Sequence, residues 1–365
     1  PGRGGDLVKL TDQARHLGRW LDGTGPASDV VLSTRVRLAR NLKEVTFTHR
    51  AREEQLAMVY SSVLSAVRKT PVLATSSALP MRDLSPIDRQ FLVERHLISN
   101  DLADNGRLRG LLLLPDETVS VMVNEEDHLR LQALASGFQL RSAWESVNAI
   151  DDELGQDLDY AFSDELGYLT ACPTNAGTGM RASILIHLPS LVLTRQIGRV
   201  LQGITQVGLA VRGFYGEGSQ IMGNFFQISN QTTLGQSERE TIESLERVTR
   251  QIIDYEQRAR EELLKDARVQ IEDKVWRAYG TLRHSRVISS QEVINLVSAV
   301  RFGLSLQIEG LADVKTLNEL LIRTQPAHMQ LWAGRELEQR ERNVLRAEYV
   351  RRLLGEDISN AARSN

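Results

Sequence analysis

Residues 121–130 read V-M-V-N-E-E-D-H-L-R. An apolar run typical of a β-strand leads directly into three consecutive carboxylates at 125–127, and His128 and Arg130 follow. Carboxylates crowded at a strand end repel one another unless cations or a reacting group neutralise them. Taken alone, the run is typical of a solvated acidic turn; in company with suitable cations it predicts an active site at the rim of a sheet.

The composition is that of an ordinary globular protein. The 365 residues are 41% hydrophobic and 25% charged, which allows a large core and favours two domains. A net charge of -3 excludes bulk attraction to nucleic acid or to a membrane surface. The single cysteine, Cys172, excludes an internal disulfide framework, and the apolar runs are far shorter than the ~20 residues that span a bilayer. We therefore expect a cytoplasmic protein.

The spacing of apolar residues predicts that the three carboxylates lie at the end of a strand, in a sheet with helices packed on it. Apolar runs at 108–114 and 117–124, joined by Pro115-Asp116, predict a β-hairpin whose end carries the carboxylates. Apolar residues at helical spacing predict a helix over 52–69. A second helix is predicted to begin at Ser85-Pro86, run to about residue 98 and carry His96.

Several segments are rich in arginine and glycine. Alternation over 29–40 predicts a strand with Arg35 and Arg37 on one face, which suits either phosphate binding or a solvated strand face. Gly177 and Gly179 would let backbone amides approach a phosphate, although a lone G-x-G is usually a tight turn. The loop R-G-F-Y-G-E-G-S at 212–219 could close over a ligand or form a hairpin turn.

The C-terminal part of the chain has a different character. A capping box, S-E-R-E at 237–240, predicts a helix of about thirty residues, and further charged helices follow. We expect an arm over 1–26, an α+β domain over 27–265 built on an antiparallel sheet with flanking helices, and an all-helical domain over 266–365. Charge runs in the last domain are typical of solvated helix faces or of a protein-interaction module.

Four blocks in this order resemble the guanidino-kinase (phosphagen kinase) superfamily. They are S-T-R-V-R-L-A-R at 33–40, N-E-E-D-H-L-R at 124–130, C-P-T-N-A-G-T-G-M-R-A-S at 172–183 and R-G-F-Y-G-E at 212–217. Creatine and arginine kinases carry a helical domain before the first block, whereas this chain has its helical domain at the other end. That layout is similar to the bacterial protein arginine kinases, as are three shorter motifs: E-R-H-L-I-S at 94–99, Y-G-E-G-S at 215–219 and T-Q-P at 324–326.

The resemblance implies transfer of the γ-phosphate of ATP, with Mg²⁺ carried on the phosphates and no metal site built from protein ligands. It implies Glu126 and Glu217 as the carboxylates that hold the acceptor guanidinium and Cys172 as a reactive thiol beside it. The nucleotide contacts it implies are Ser33, Thr34, Arg35, Val36, Arg37, His96, Arg130, Arg181, Ala182, Ser183, Ile184, Leu185, Arg212, Gly213, Phe214, Tyr215 and Gly216. Leu185 stands where phosphagen kinases have a second adenine-contacting histidine, so we expect adenine to be held differently.

In the helical domain the resemblance implies a phosphoarginine receptor. Its R-D-x-x-R-A motif corresponds here to Arg342, Asn343 and Arg346, with Asn in place of Asp. The resemblance further implies arginine-bearing protein substrates, a Clp-type AAA protease and an activator protein as partners, a role in stress-related protein quality control, and a homodimer or larger homo-oligomer. The alternatives are a phosphagen kinase acting on a free guanidino compound and a non-catalytic adaptor.

Overall fold

The computed structural model describes residues 10–14, 16–104, 108–214 and 222–361. The helices in these ranges are α1 (Leu10–Gln13), α2 (Glu53–Lys69), α3 (Pro86–Glu94), α4 (Asn100–Asp104), α5 (Leu140–Leu154), α6 (Pro189–Leu193), α7 (Ile197–Gln206), α8 (Glu238–His284), α9 (Ser290–Ser305), α10 (Val314–Arg323), α11 (Pro326–Ala333) and α12 (Gln339–Ala361). The strands are β1 (Val31–Arg40), β2 (Ser77–Pro80), β3 (Gly110–Leu113), β4 (Val119–Val123), β5 (Leu129–Ser136), β6 (Phe162–Ser163), β7 (Gly167–Tyr168), β8 (Met180–His187), β9 (Leu209–Arg212) and β10 (Phe225–Asn230). None of the described helices is both long and apolar enough to cross a membrane.

An eight-stranded antiparallel sheet forms the centre of the molecule. Its strand order is β2-β3-β4-β5-β1-β8-β10-β9, so β1 lies between β5 and β8 in the middle. The predicted hairpin is β3 and β4, and the turn after β4 places residues 124–128 at the rim. The predicted α+β fold, an antiparallel sheet with helices outside and a helical C-terminal region, is confirmed.

The two faces of the sheet have different coverings. One face packs against α2, α5 and the first part of α8, with Val36, Val63, Val147 and Ile252 among its buried residues. The other face joins the helical domain in a second core, which contains Leu134 and Leu185 of the sheet. Because strand residues alternate between faces, every second residue of β1, β5 and β8 points toward this second face.

Helix α8 connects the sheet to the helical domain. Ser237 Oγ accepts from the amide of Glu240, and the Glu240 carboxylate accepts from the amide of Ser237 at 2.8 Å, which is the predicted capping box. The helix has 47 residues and is interrupted at Ala267, whose φ of -138° is not helical. The segment before this interruption corresponds to the helix of about thirty residues that the sequence predicts.

The described part of the N-terminal arm is packed on the body. Trp20 and Leu21 are buried in the second core, and the amide of Arg19 donates to the carbonyl of Asp116 at 3.0 Å. The buried pair Arg95 and Glu117, 2.8 Å apart, lies beneath the arm, since Arg95 also donates to the carbonyl of His16. The arm therefore contributes a wall to the interior next to β1.

Candidate active site

Arginine side chains from four strands line one cavity on the second face. In the register of the sheet, Arg37 lies opposite Arg181 on β8, and Ala39 lies opposite Arg130 on β5. Arg35 lies two residues before Arg37, and Arg212 is at the end of β9. All five arginines border a cavity of about 880 Å³. The structure thus brings together the five arginines that the resemblance implies.

Burial and mutual repulsion destabilise the charged arginines of this cluster, and a bound anion would offset that effect. Burial, together with the neighbouring charges of Arg130, Arg212 and Arg181, lowers the pKa of Arg35 to about 10. Burial and the charges of Arg35, Arg130 and Arg181 also hold the pKa of Arg37 well below its usual range. The buried Nε–H groups of Arg35 and Arg37 have no hydrogen-bond partner among the described residues. Buried cationic donors without acceptors fit a polyphosphate, whose oxygens accept such bonds bidentately.

The three carboxylates of the acidic turn have different environments. Asp127 is fully buried and accepts from Asn41 and from the amide of Ala171, both at 2.7 Å, so it has a structural role. Glu125 is also buried and accepts from Ser99 and, at 2.6 Å, from Arg130. Glu126 alone of the three carboxylates borders the cavity.

Glu126 is positioned by Arg130. Arg130 Nη2 donates to Glu126 Oε2 at 2.8 Å, and 38% of the Glu126 side chain is exposed. Burial raises the pKa of Glu126 above its ordinary value, and the charges of Asp127 and Glu125 add to this effect, while Arg130 opposes it. A carboxylate with a raised pKa that faces a cavity is a candidate base or guanidinium ligand.

Cys172 lies on a turn next to this carboxylate cluster. It follows Ala171, whose amide is bonded to Asp127, and its Sγ is 3.0 Å from the hydroxyl of Thr174. The 3-10 turn that it begins carries Asn175, which borders the cavity and accepts from Arg181 at 3.4 Å. Cys172 itself is partly exposed and is not among the residues that border the cavity.

The glycines after Cys172 are required by close packing of the backbone. Gly177 has φ +105° and Gly179 has φ +65°, and a side chain at either position would collide with backbone, that of Thr233 or of Ala39. The amide of Thr178 is occupied, since it donates to the carbonyl of Thr233 at 3.0 Å. The tight-turn alternative therefore describes Gly177, whereas Gly179 both fits a tight turn and borders the arginine-lined cavity.

A small chamber of about 20 Å³ opens beside Arg35. Helix α3 ends at Glu94 rather than near residue 98 as predicted, and His96, with φ +57°, lies outside it. The ring of His96 faces Trp20 at 5.8 Å and Phe214 at 5.6 Å between ring centroids. Burial and the charge of Arg35 lower the pKa of His96 to about 3, so the ring is neutral. The rest of the wall comes from Ser33, Ser183, Leu185, Leu134 and Gln227. The chamber itself has room for about one water molecule, so a nucleobase would lie in the adjoining large cavity, against the aromatic and apolar side chains at the mouth of the chamber.

Sequence reasoning missed Trp20 and Gln227 in this chamber. Gln227 was detectable as a polar residue inside the apolar strand β10, where it is only 5% exposed. Trp20 had no local signal, because its arm reaches the chamber only through tertiary packing.

Four of the predicted nucleotide contacts have side chains that point away from the cavity. Val36, Ala182 and Ile184 are buried in the core on the opposite face, and Thr34 donates to the carbonyl of Gly137 at 2.7 Å. They alternate with the residues that do border the cavity or chamber, so the period of the strand separates the two sets. Gly213 is buried after the end of β9. Tyr215, Gly216 and Glu217 lie outside the described residues, as does the rest of their loop to residue 221.

The predicted phosphoarginine residues lie on α12. Arg346 is only 2% exposed and donates to the carbonyls of Thr324 and Ile288 and, at 2.6 Å, to Asn343 Oδ1. Arg342 is partly buried and donates to the carbonyl of Leu337. The structure therefore joins Asn343 to Arg346 and leaves Arg346 surrounded by protein acceptors.

Within the described residues, His, Cys, Asp and Glu side chains form no group of three that could hold a metal ion. The two buried carboxylates of the acidic turn, Glu125 and Asp127, already accept from protein donors.

Comparisons with known proteins agree with this geometry. A family model described as ATP:guanido phosphotransferase, C-terminal catalytic domain, matches residues 58–259, and one described as Protein-arginine kinase McsB C-terminal domain matches residues 268–364. A protein-arginine kinase of Moorella thermoacetica is 51% identical over 92% of this chain and 97% of its own length. A protein-arginine kinase of Symbiobacterium thermophilum is 48% identical over 93% of this chain and 97% of its own length.

Solved structures of guanidino kinases share the fold. The duplicated taurocyamine kinase of Schistosoma mansoni aligns with a TM-score of 0.59 and 26% identity, over 66% of this chain and 36% of that chain. A lombricine kinase aligns with a TM-score of 0.56 and 24% identity, over 68% of this chain and 70% of that chain, which concerns the fold alone. The family models and the relatives confirm the resemblance seen in the sequence, and the chain belongs to the protein-arginine kinases within the ATP:guanido phosphotransferases.

Proposed function

We propose that this protein-arginine kinase transfers the γ-phosphoryl group of ATP to the guanidino group of protein arginines at the cavity between β1 and the acidic turn. The observation that carries the proposal is the position of Glu126. It borders the arginine-lined cavity while Glu125 and Asp127 are engaged by protein donors. In this assignment the five arginines hold the triphosphate, and His96, Leu185 and Phe214 surround the base.

The chemistry explains why a carboxylate must face the phosphates. A guanidinium has a pKa above about 12, so removing its proton at neutral pH costs roughly 7 kcal/mol or more. A single carboxylate base cannot supply that energy, but positioning the reactants can contribute about 7 to 11 kcal/mol. Glu126, and Glu217 as the resemblance implies, would grip the guanidinium and aim its lone pair at the γ-phosphorus, and Cys172 would help to orient it.

The arginine cluster supplies the electrostatic part of the mechanism. Charge develops on the phosphoryl oxygens during in-line transfer, and preorganised cations in a water-poor site stabilise it strongly. Arg130 has two functions in this proposal, because it contacts Glu126 and also borders the phosphate region. Mg²⁺, when bound to the phosphates, would neutralise further negative charge.

We further propose the biological setting that the family implies. Phosphorylated arginines would mark proteins for a Clp-type protease in protein quality control, an activator protein would bind the kinase, and the kinase would act as a homodimer or larger oligomer. Phosphoarginine would dock beside Arg342 and Asn343 of α12. For docking to use Arg346, the ligand would have to replace one of the three oxygens to which this arginine already donates.

The acceptor distinguishes this function from that of a phosphagen kinase. With γ-labelled ATP, we expect label on a casein-type protein in a bond that acid cleaves and mild base does not, as a phosphoramidate requires. Free arginine and creatine in separate reactions should consume little ATP. Efficient ATP consumption with a free guanidino compound but not with protein would favour the phosphagen kinase alternative, and no transfer to either would favour an adaptor.

A further inference from the structure

Two sequence motifs far apart in the chain meet at the wall of the catalytic cavity. The first is E-R-H-L-I-S at 94–99, which follows α3, and the second is T-Q-P at 324–326, between α10 and α11. The mechanism above uses only His96 from these motifs. Glu94, Gln325 and Pro326 nevertheless border the same cavity as the arginine cluster.

Glu94 holds the start of α11. Its carboxylate accepts from the amide of Ala327 at 2.9 Å, the amide of His328 at 3.2 Å and His328 Nδ1 at 2.8 Å. Pro326 occupies the first helical position and has no amide to satisfy. Glu94 therefore takes the place of an N-cap residue, but it comes from the catalytic domain, 233 positions earlier in the chain.

The contact between Glu94 and the start of α11 is buried, so removing the Glu94 carboxylate from water costs free energy that its hydrogen bonds must offset. Glu94 is 3% exposed, and burial raises its pKa to about 7 although the amides of Ala327 and His328 oppose the rise. The turn is held from its other side by Arg346, which donates to the carbonyl of Thr324. Gln325 is 4% exposed, and its Nε2 donates to the carbonyl of Leu321 at 2.8 Å. The backbone on both sides of Gln325 is thus held by Glu94 and Arg346, and the side chain itself is held by its bond to Leu321.

The segment that begins at Glu94 runs along the wall of the large cavity, which Glu94, His96, Ile98 and Ser99 all border. Two residues after Glu94, His96 borders the small chamber, and this chamber shares Arg35, His96 and Gln227 with the large cavity. The same segment then continues to Ser99, which bonds Glu125 at the acceptor end. Glu94 and the turn that it holds therefore border the large cavity beside the segment that carries His96.

We propose that the helical domain supplies a nucleoside-binding residue, Gln325, and that Glu94 is the positioning residue that holds it there. This inference rests on the proposed ATP-dependent function. A glutamine amide both donates and accepts hydrogen bonds, so it matches the hydroxyls of a ribose as well as the edge of a base. The helical domain would then act on nucleotide binding directly, in addition to any role in substrate or partner binding.

Inorganic tripolyphosphate provides a sharp test, because it can occupy the arginine cluster but has no nucleoside. Calorimetry would measure its Kd and that of ATP, both with Mg²⁺, for the full chain and for Gln325→Ala and Glu94→Gln. Losing one hydrogen bond corresponds to a loss of about three- to tenfold in affinity. We expect that loss for ATP in both variants, with tripolyphosphate affinity within about twofold of the parent.

Ser289→Ala is a matched control. Ser289 caps α9 in the same helical domain by accepting from the amide of Glu292 at 3.2 Å, and it does not border the cavity. This variant should lose helix stability while ATP affinity stays unchanged.

Two results would overturn the inference: unchanged ATP affinity in Gln325→Ala, or equal weakening of ATP and tripolyphosphate in that variant. Gln325→Ala decides the question even if Glu94→Gln disturbs folding. Failure of the parent protein itself to bind ATP would instead refute the proposed function.

Discussion

Replacing Arg35 by glutamine should stabilise the nucleotide-free protein while impairing its function. Burial and three neighbouring arginines lower the pKa of Arg35 to about 10. Compared with an unperturbed guanidinium, this shift in pKa means that the folded state destabilises the charged form of Arg35 by about 3 kcal/mol. At pH 7 the group is protonated in both the folded and the unfolded chain, so the full cost is present.

The expected gain is smaller than this cost. The side chain also packs its methylene stem against its neighbours, and glutamine is shorter. We therefore expect the free energy of unfolding of Arg35→Gln to rise by about 1–2 kcal/mol without nucleotide. ATP affinity should fall by about a hundredfold, because a charge-assisted contact contributes about 1.5–3 kcal/mol.

Urea unfolding at pH 7, with and without ATP, measures both effects. ATP at about a hundred times its Kd should stabilise the parent by roughly 2.7 kcal/mol and the variant by much less. Arg68→Gln is the matched control, since Arg68 is exposed on α2 and its loss should change stability by less than about 0.5 kcal/mol. A lower free energy of unfolding for nucleotide-free Arg35→Gln than for the parent would refute the reasoning that repulsion and burial destabilise the arginine cluster until an anion binds.

Three further predictions concern the base, the thiol and the helical domain. Transfer at saturating ATP should fall as the pH drops, with a midpoint above the pKa of an ordinary glutamate, because burial raises the pKa of Glu126. Arg130→Gln should move this midpoint upward, since the charge of Arg130 lowers the pKa of Glu126. An unmoved midpoint in the pH-rate profile of that variant would contradict this. Cys172→Ser should reduce kcat only mildly, and bound ATP plus acceptor should protect the thiol from alkylation; alkylation that leaves activity intact would exclude a role in transfer. Asn343→Asp should tighten phosphoarginine binding severalfold in calorimetry while Arg342→Ala weakens it, and equal affinity of Asn343→Asp and the parent would place the receptor elsewhere.

Much of the fold and part of the site follow from local patterns. The alternation of β1 correctly sets Arg35 and Arg37 on one face, and the hairpin correctly sets the acidic turn at the rim. The capping box of α8 is also a local signal that the structure confirms. In each case the decisive interactions join residues close in sequence or follow from the period of a strand.

Other features depend on contacts that no local pattern contains. The sequence gives three equivalent carboxylates at 125–127, and only the packing of Asn41, Ala171 and Ser99 distinguishes Glu126 from its neighbours. Glu94 meets α11 across 233 positions, so its role could not be read from E-R-H-L-I-S alone. The sequence also does not show that α3 ends before His96, because apolar residues at helical spacing continue beyond Glu94.

The central claim is that Glu126 acts on the acceptor guanidinium and not on the nucleotide. The most direct test measures transfer from labelled ATP to a protein acceptor in Glu126→Gln, alongside the Kd for ATP. Glutamine has nearly the same shape but cannot take the proton or carry the charge. We predict that transfer falls at least about a hundredfold, as expected for loss of a catalytic base, while ATP binding changes little. Near-normal transfer by Glu126→Gln would contradict the account.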